Sequence, residues 1–325
     1  MRSYIVRRLL LMIPVMFLAS VIIFIMVRLV PGDIVDAMAA ESPGGAIDRE
    51  AILHELGLDV SLFTQYGRWI GAVPGADGSF NGIFQGDLGT SWWQKKPVLE
   101  LVALKWPVTF ELGLLGLIVA QLIALPIGIF SALRQDTWGD YIGRSFAILC
   151  ISVPGFWLGT LIIVFPAIWW GYMPSITLIP FIEDPIGNLK MFIIPAVVMG
   201  MALSGMTMRM TRTMMLEVLR QDYIRTAWAK GLRERGIVMR HALKNALIPV
   251  ITIIGVQLPV LIGGTVIIEQ IFMLPGMGRL IISATLHRDY ALVSGVMLIF
   301  AIVLLLIILM VDLTYAYLDP RVHYK

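Results

Sequence analysis

Charge is scarce in this 325-residue sequence: Asp, Glu, Lys and Arg supply 14% of it, against 58% hydrophobic residues and a mean hydropathy of +0.85. That balance excludes an ordinary soluble domain and makes lipid the expected solvent. Cysteine occurs once, at Cys150 inside an apolar run, so a single chain can build neither a disulfide nor a cysteine–metal framework. The four histidines, His54, His241, His287 and His323, are scattered, and His54-Glu55 does not continue into HExxH. No zinc or haem ligand set is expected. A Gly-Lys pair never occurs, which removes the phosphate-binding loop, and no GxSxG elbow is present. The chain is therefore expected to be no enzyme and to hold no metal, nucleotide or other cofactor of its own.

Long apolar runs are what the sequence does have. Crossing about 30 Å of hydrocarbon takes roughly 20 apolar residues in a helix. Six windows meet or approach that length: Leu9–Val30, Pro107–Leu133, Ser145–Tyr172, Met191–Met208, Ala246–Ile268 and Ala291–Val311. The fourth is the shortest and is expected to continue past Arg209, whose stem can snorkel. Pro14, Pro126, Pro154, Pro166, Pro195, Pro249 and Pro259, with Gly255, Gly263 and Gly264, predict kinked helices in a bundle able to rearrange.

The net charge of +3 gains meaning only when divided by loop. With the N-terminus inside, sixteen of the 25 Lys and Arg residues fall in the cytoplasm, nine of them between 209 and 245, and eight on the other side. Residues 31–106 carry five basic against ten acidic residues, as expected of a translocated segment. The positive-inside rule thus predicts six spans with both termini cytoplasmic. A cleaved leader is the alternative for the first window, but its length and Arg28 near its end argue against one. The chain divides on this reading into 1–30, the N-terminus and first span; 31–106, a small extracytoplasmic cap; and 107–325, a five-helix core containing the loop 209–245. Within the cap, Arg49–Leu56 is expected to be helical with Gly57 as its stop, and Trp92 and Trp93 to anchor at the interface.

Only Arg28 and Glu111 are ionisable within the six windows. The topology puts both near the outer surface, where an ion pair would spare either charge from standing alone. Ion-coupled carriers place ionisable groups near the midplane, so a stand-alone secondary transporter becomes the weaker alternative.

The segment from Asp222 to Pro249, DYIRTAWAKGLRERGIVMRHALKNALIP, is basic, helix-capable and broken by Gly231. Asp222 suits an N-cap and Gly231 a C′ position, leaving Tyr223–Lys230 as about two turns that only packing could hold. Tyr223, Ala227 and Trp228 could form an apolar patch, with Arg225 and Lys230 pointing elsewhere. A defined docking element for a cytoplasmic motor would account for such a loop. A basic segment lying on anionic headgroups is the other reading, and nucleic-acid binding has nothing further to support it.

This segment resembles the cytoplasmic signature of permease subunits in bacterial or archaeal ATP-binding-cassette importers of the dipeptide/oligopeptide/nickel family. It stands here as Arg225-Thr226-Ala227, then Trp228-Ala229-Lys230, Gly231 and Ala246-Leu247-Ile248-Pro249. Arginine replaces the leading glutamate of the sugar importers, and the Gly-to-Pro spacing is longer, as in the peptide branch. LVPGD (Leu29–Asp33), ELGLD (Glu55–Asp59), GDLGTSW (Gly86–Trp92), ISVPGFWLG (Ile151–Gly159), EQIFMLPGMG (Glu269–Gly278) and YLDPRV (Tyr317–Val322) are similar to that family in the same order.

The resemblance implies an all-α, six-span type I importer permease in the cytoplasmic membrane. Implied partners are a second, related permease, two ATPase subunits that bind ATP and Mg²⁺, and an extracytoplasmic substrate-binding protein. Asp222, Tyr223, Arg225, Thr226, Ala227, Lys230 and Gly231 would form the coupling element, with Gly231 and Ala227 close to the ATPase. Glu269, Pro275, Gly276 and Gly278 would belong to an outer loop facing the binding protein, followed by a short helix over roughly Arg279–His287. Substrates associated with the family are dipeptides, longer peptides, nickel chelates, glutathione and some oligosaccharides.

Overall fold

The structure, a computed structural model, describes residues 2–32, 34–41, 48–75, 78–171, 177–263 and 265–318. Asp33, Asp77, Gly264 and most of the YLDPRV motif lie outside the described residues. Helices follow in the order α1 (Arg2–Leu29), α2 (Ile34–Glu41), α3 (Arg49–Glu55), α4 (Leu62–Ile70), α5 (Val98–Leu133), α6 (Trp138–Ser152), α7 (Gly155–Trp170), α8 (Pro185–Leu219) and α9 (Asp222–Ala229). After these come α10 (Glu234–Gly236), a π-helical stretch (Ile237–Ala242), α11 (Leu243–Gln257), α12 (Val260–Gly263), α13 (Thr265–Ile271), α14 (Met277–Leu286) and α15 (Tyr290–Leu318). No strand occurs among the described residues.

Among the described residues five helical stretches are long and apolar enough to cross a membrane: Ile5–Leu29, Val98–Leu133, Pro185–Leu219, Glu234–Gly263 and Tyr290–Thr314. The sixth expected span, Ser145–Tyr172, is not one kinked helix. It is α6 and α7, which meet at 92° around Val153 and Pro154. Proline cannot donate to the preceding turn and pushes the residue before it toward extended backbone, and Val153 sits at φ −83°, ψ 119°. The fourth window does run past Arg209, to Leu219, with Asp184 accepting the Gly187 N–H at 2.9 Å and Pro185 in the first turn.

The chain groups into two compact units, Met1–Pro107 with Pro275–Leu306, and Val108–Leu274 with Ile307–Lys325. In the first, Ser20, Phe24 and Arg28 lie four residues apart on one stripe of α1 and meet α4. Ser20 Oγ is 2.9 Å from the Tyr66 hydroxyl, the Phe24 ring packs edge-on against Tyr66, and Arg28 Nε donates to Gln65 Oε1 at 2.8 Å. The helix α4 has clear sequence punctuation, Ser61 capping the Thr64 N–H and Gly71 left-handed after the last turn, yet was not expected. The unit's core joins Val27, Val98, Leu101, Met277, Leu280, Leu292 and Val296. Trp93, expected as an interfacial anchor, gives its indole N–H to the His287 carbonyl at 2.9 Å, while Lys95 lies 3.4 Å above the Trp92 ring.

In the second unit α8 is central, packing against α6, α7 and α11. Small residues let helices approach: a Cβ at Gly200 would stand 2.9 Å from the Gly116 carbonyl oxygen and 2.8 Å from Val119, so α5 and α8 nearly touch backbones. Gln257 of α11 donates to the Leu203 carbonyl at 2.9 Å, tying α11 to α8 in mid-span.

Candidate functional site

The segment singled out in the sequence is ordered. Its helix α9 covers eight residues, and Gln221 rather than Asp222 occupies the N-cap, with φ −72° and ψ 148°. Asp222 is the first helical residue, where its charge still complements the N-terminal dipole. Its main-chain carbonyl accepts from Thr226 Oγ1 at 3.0 Å, and its carboxylate lies 3.3 Å from Arg225. At the other end Gly231 has φ +75°, and the N–H of Leu232 reaches back to the Ala227 carbonyl at 3.4 Å. This left-handed stop is open to glycine without penalty and turns the chain toward α10.

Two turns cannot hold themselves, and the structure gives them an anchor. Ile224 is fully buried and Ala227 is 7% exposed, three residues apart on one face. They join Ala132 of α5, Met215 of α8, Ile237, Val238 and Ala242 of the π-helical stretch, and Ala246 of α11. This corrects the expected patch. Ala227 does not stand outward beside Tyr223 and Trp228, because helical spacing pairs it with Ile224 and the chain's own core takes both. The outward face consists of Tyr223, Arg225, Thr226, Trp228 and Lys230, all exposed. Tyr223 is further fixed by Asn245, whose amide donates to its hydroxyl at 2.8 Å.

An interaction that the sequence reading missed lies one helical turn before Met215. Arg212 of α8 donates through Nε and an Nη to both oxygens of Asp140 of α6, each at 2.7 Å. The Asp140 side chain is wholly buried and that of Arg212 is 20% exposed. The Asp136 backbone N–H adds a third bond at 3.1 Å. Both residues fall just outside the apolar windows, so a search for intramembrane charge passes over them. The signal was the stripe Asp140, Gly143, Ala147 and Cys150, whose spacing places the carboxylate on the buried face of α6.

The expected Arg28–Glu111 pair is replaced by two separate arrangements. Arg28 takes Gln65 within the first unit, whereas Glu111 accepts from Asn188 Nδ2 at 3.4 Å within the second. Each charge therefore has a neutral amide partner, which removes the need that motivated the pairing. The residues expected in the outer loop divide by burial. Glu269 lies in α13, fully buried and accepting the Thr109 hydroxyl at 2.7 Å, and Gly276 and Gly278 are buried. Of those four residues Pro275 alone is partly exposed. The short helix expected near Arg279–His287 is α14. No group of three or more His, Cys, Asp or Glu is placed to hold a metal among the described residues.

Residues 124–324 match the family described as binding-protein-dependent transport system inner membrane component, and residues 1–113 match its N-terminal family. The chain belongs to this family and is a multi-pass inner-membrane component of a transport system with further subunits. A protein of Brucella suis biovar 1, provisionally named a peptide transport system permease protein, is 39% identical over 325 residues, covering 100% of both chains. The glutathione transport system permease protein GsiC of Pectobacterium atrosepticum is 35% identical, again over 100% of both. A crystal structure of an amino acid ABC transporter with histidines shares the fold, with a TM-score of 0.51 at 14% identity, covering 67% of this chain and 94% of the other.

Proposed function

We propose that this chain is one half of the translocation pathway of an ATP-driven, binding-protein-dependent importer of peptides, and that α9 is where the motor docks. The reading rests on one observation. A two-turn helix is held from beneath by a buried cluster drawn from three spanning elements, and it turns a face of Tyr223, Arg225, Thr226, Trp228 and Lys230 outward. Tyrosine, tryptophan and arginine are the residues that carry binding energy at protein interfaces. A loop resting on headgroups would instead turn its apolar face toward lipid.

In this scheme a related permease completes the pathway, two ATPase subunits bind ATP and Mg²⁺, and an extracytoplasmic protein delivers substrate. The chain itself catalyses nothing and binds no cofactor. Both termini and α9 are cytoplasmic, following the basic residues. Residues 31–106 and the turn at Pro275 are on the outer side. Peptides are the substrate class because relatives across the whole length are named for peptide and glutathione transport, and glutathione is itself a tripeptide.

The test is reconstitution of the complete transporter with its binding protein, followed by uptake of labelled dipeptide and of glutathione. ATP-dependent uptake of either supports the reading. Uptake that persists without the ATPase subunits would return the chain to the stand-alone transporters.

A further inference from the structure

A cleft of about 260 Å³ lies within the first unit, between the end of α1, α4, residues 90–92 and the start of α15. Among the described residues three charged side chains line it: Arg28, Arg68 and Asp289. The aspartate is already committed. It is 2% exposed and accepts the Ser91 hydroxyl at 2.6 Å and the Leu292 N–H at 3.2 Å.

Among the described residues neither arginine is ion-paired; Asp59, whose carboxylate the Arg68 charge stabilises, bonds His54 at 2.7 Å instead. Arg28 gives Nε to Gln65 and one Nη to the Phe24 carbonyl at 3.4 Å, with its guanidinium 3.5 Å above the Phe24 ring. Arg68 gives Nε to the Pro74 carbonyl at 3.2 Å. The indole N–H of Trp69 has no hydrogen-bond partner among the described residues, but it is fully buried and does not open on the cleft. Two guanidinium groups lining one cavity call for an anion rich in acceptor oxygens, and the guanidinium fork matches phosphate in particular.

The surroundings specify what carries that phosphate. Arg28 sits in the last turn of a 28-residue apolar helix, at the depth where hydrocarbon gives way to headgroups. Within one turn of it, Ile25, Met26 and Leu29 are 47%, 55% and 74% exposed. Trp92 and Tyr290, side chains that favour the membrane boundary, complete the rim. An anionic oxygen group beside an apolar ridge is the outline of a phospholipid, not of a free ion.

We propose that this cleft binds the phosphodiester headgroup of an acidic phospholipid. Arg28 and Arg68 donate to the phosphate, and the acyl chains lie along the exposed apolar residues of α1. The site needs neither the substrate nor the motor assignment above.

The purified whole transporter would be titrated with phosphatidylglycerol and with phosphatidylcholine of the same acyl chains, reading bound lipid by native mass spectrometry. Phosphatidylglycerol should bind more tightly. Arg28→Gln and Arg68→Gln should each weaken it about five-fold, the worth of one basic residue at a membrane surface, and leave phosphatidylcholine unchanged. If Arg28→Gln does not fold, Arg68→Gln decides, since its Nε makes one bond to a loop carbonyl. Equal retention of the two lipids, or variants that bind phosphatidylglycerol like the wild type, would overturn the proposal. Displacement by millimolar inorganic phosphate would make it a free-anion site, and displacement by a dipeptide a substrate site; either result also overturns it.

Discussion

Replacing Arg212 by alanine tests whether the Asp140–Arg212 pair holds α6 against α8. The substitution leaves a carboxylate with no exposed surface, the Asp136 N–H as its hydrogen-bond partner and the Arg144 charge nearby. Removing one member of a buried pair costs about 3–5 kcal/mol, chiefly because the remaining charge is stranded. For a 325-residue chain with an unfolding entropy of ~2 cal/mol/K per residue, that corresponds to a fall in thermal midpoint of about 4–7 °C. Asp140→Ala should cost less, because Arg212 is already one-fifth exposed and its long stem can carry the guanidinium to water. The double variant should lose less than the sum, with a coupling energy on the order of 2 kcal/mol. The assay is thermal unfolding of purified single and double variants in one detergent. A midpoint within about 1 °C of the wild type for Arg212→Ala, or strictly additive losses, would refute the argument that the pair bears load.

The two faces of α9 should separate under mutation. Tyr223→Ala and Trp228→Ala should leave insertion and thermal stability intact while weakening capture of the ATPase subunit by about 2 kcal/mol, roughly thirty-fold; Ala227→Trp should instead lower folded yield, since it overfills a buried site. Gly231→Ala should cost about 1–2 kcal/mol, from its left-handed backbone alone, because a Cβ there would touch nothing within 4 Å. Gly231→Trp should reduce transport and binding-protein-stimulated ATP hydrolysis together, and an unchanged uptake rate would mean α9 is not the coupling element. A cysteine placed at Asp77 should react with an impermeant reagent in sealed cells, whereas one at Arg233 should react only after permeabilisation; the reverse pattern would invert the topology.

Much of this architecture is legible in the sequence, and the departures share a physical cause. Apolar runs located the long spans because each must satisfy its backbone internally and face hydrocarbon, a requirement written residue by residue. The sharp break at Pro154 was visible as a proline but not as a 92° turn, since a proline's consequence depends on whether neighbours straighten the chain again. Side-chain partners are set by packing between distant elements. Arg28 and Glu111 looked like a pair because depth was the only coordinate available, while Gln65 and Asn188 supplied closer acceptors and donors. The same limitation put Ala227 on the wrong side of α9. In eight residues an outward Tyr223–Ala227–Trp228 patch and an inward Ile224–Ala227 face are equally periodic. Only the pocket formed by Met215, Ile237 and Ala246 decides between them.

That pocket also bears on how a docking helix could act at a distance. Close-packed interiors yield little, so displacement of Ile224 and Ala227 is passed to whatever they touch. Here they share one buried cluster with Ala132 at the end of α5, Met215 of α8, and Ile237, Val238 and Ala242 on the approach to α11. Three spanning helices thus share one contact with α9, and the Arg212–Asp140 pair brings α6 along one turn further up α8. Motion must then be absorbed where the helical ladder is weakest. Two such places adjoin these elements: the π-helical stretch Ile237–Ala242 between α10 and α11, and the Val153–Pro154 corner between α6 and α7. A π-helical turn is rare within α-helices and frequently marks a functional site. The stretch Ile237–Ala242 lies directly behind α9, in the same buried cluster as Ile224 and Ala227, so under the docking proposed above the bend would fall there while α5 and α8 stay close-packed at Gly116 and Gly200.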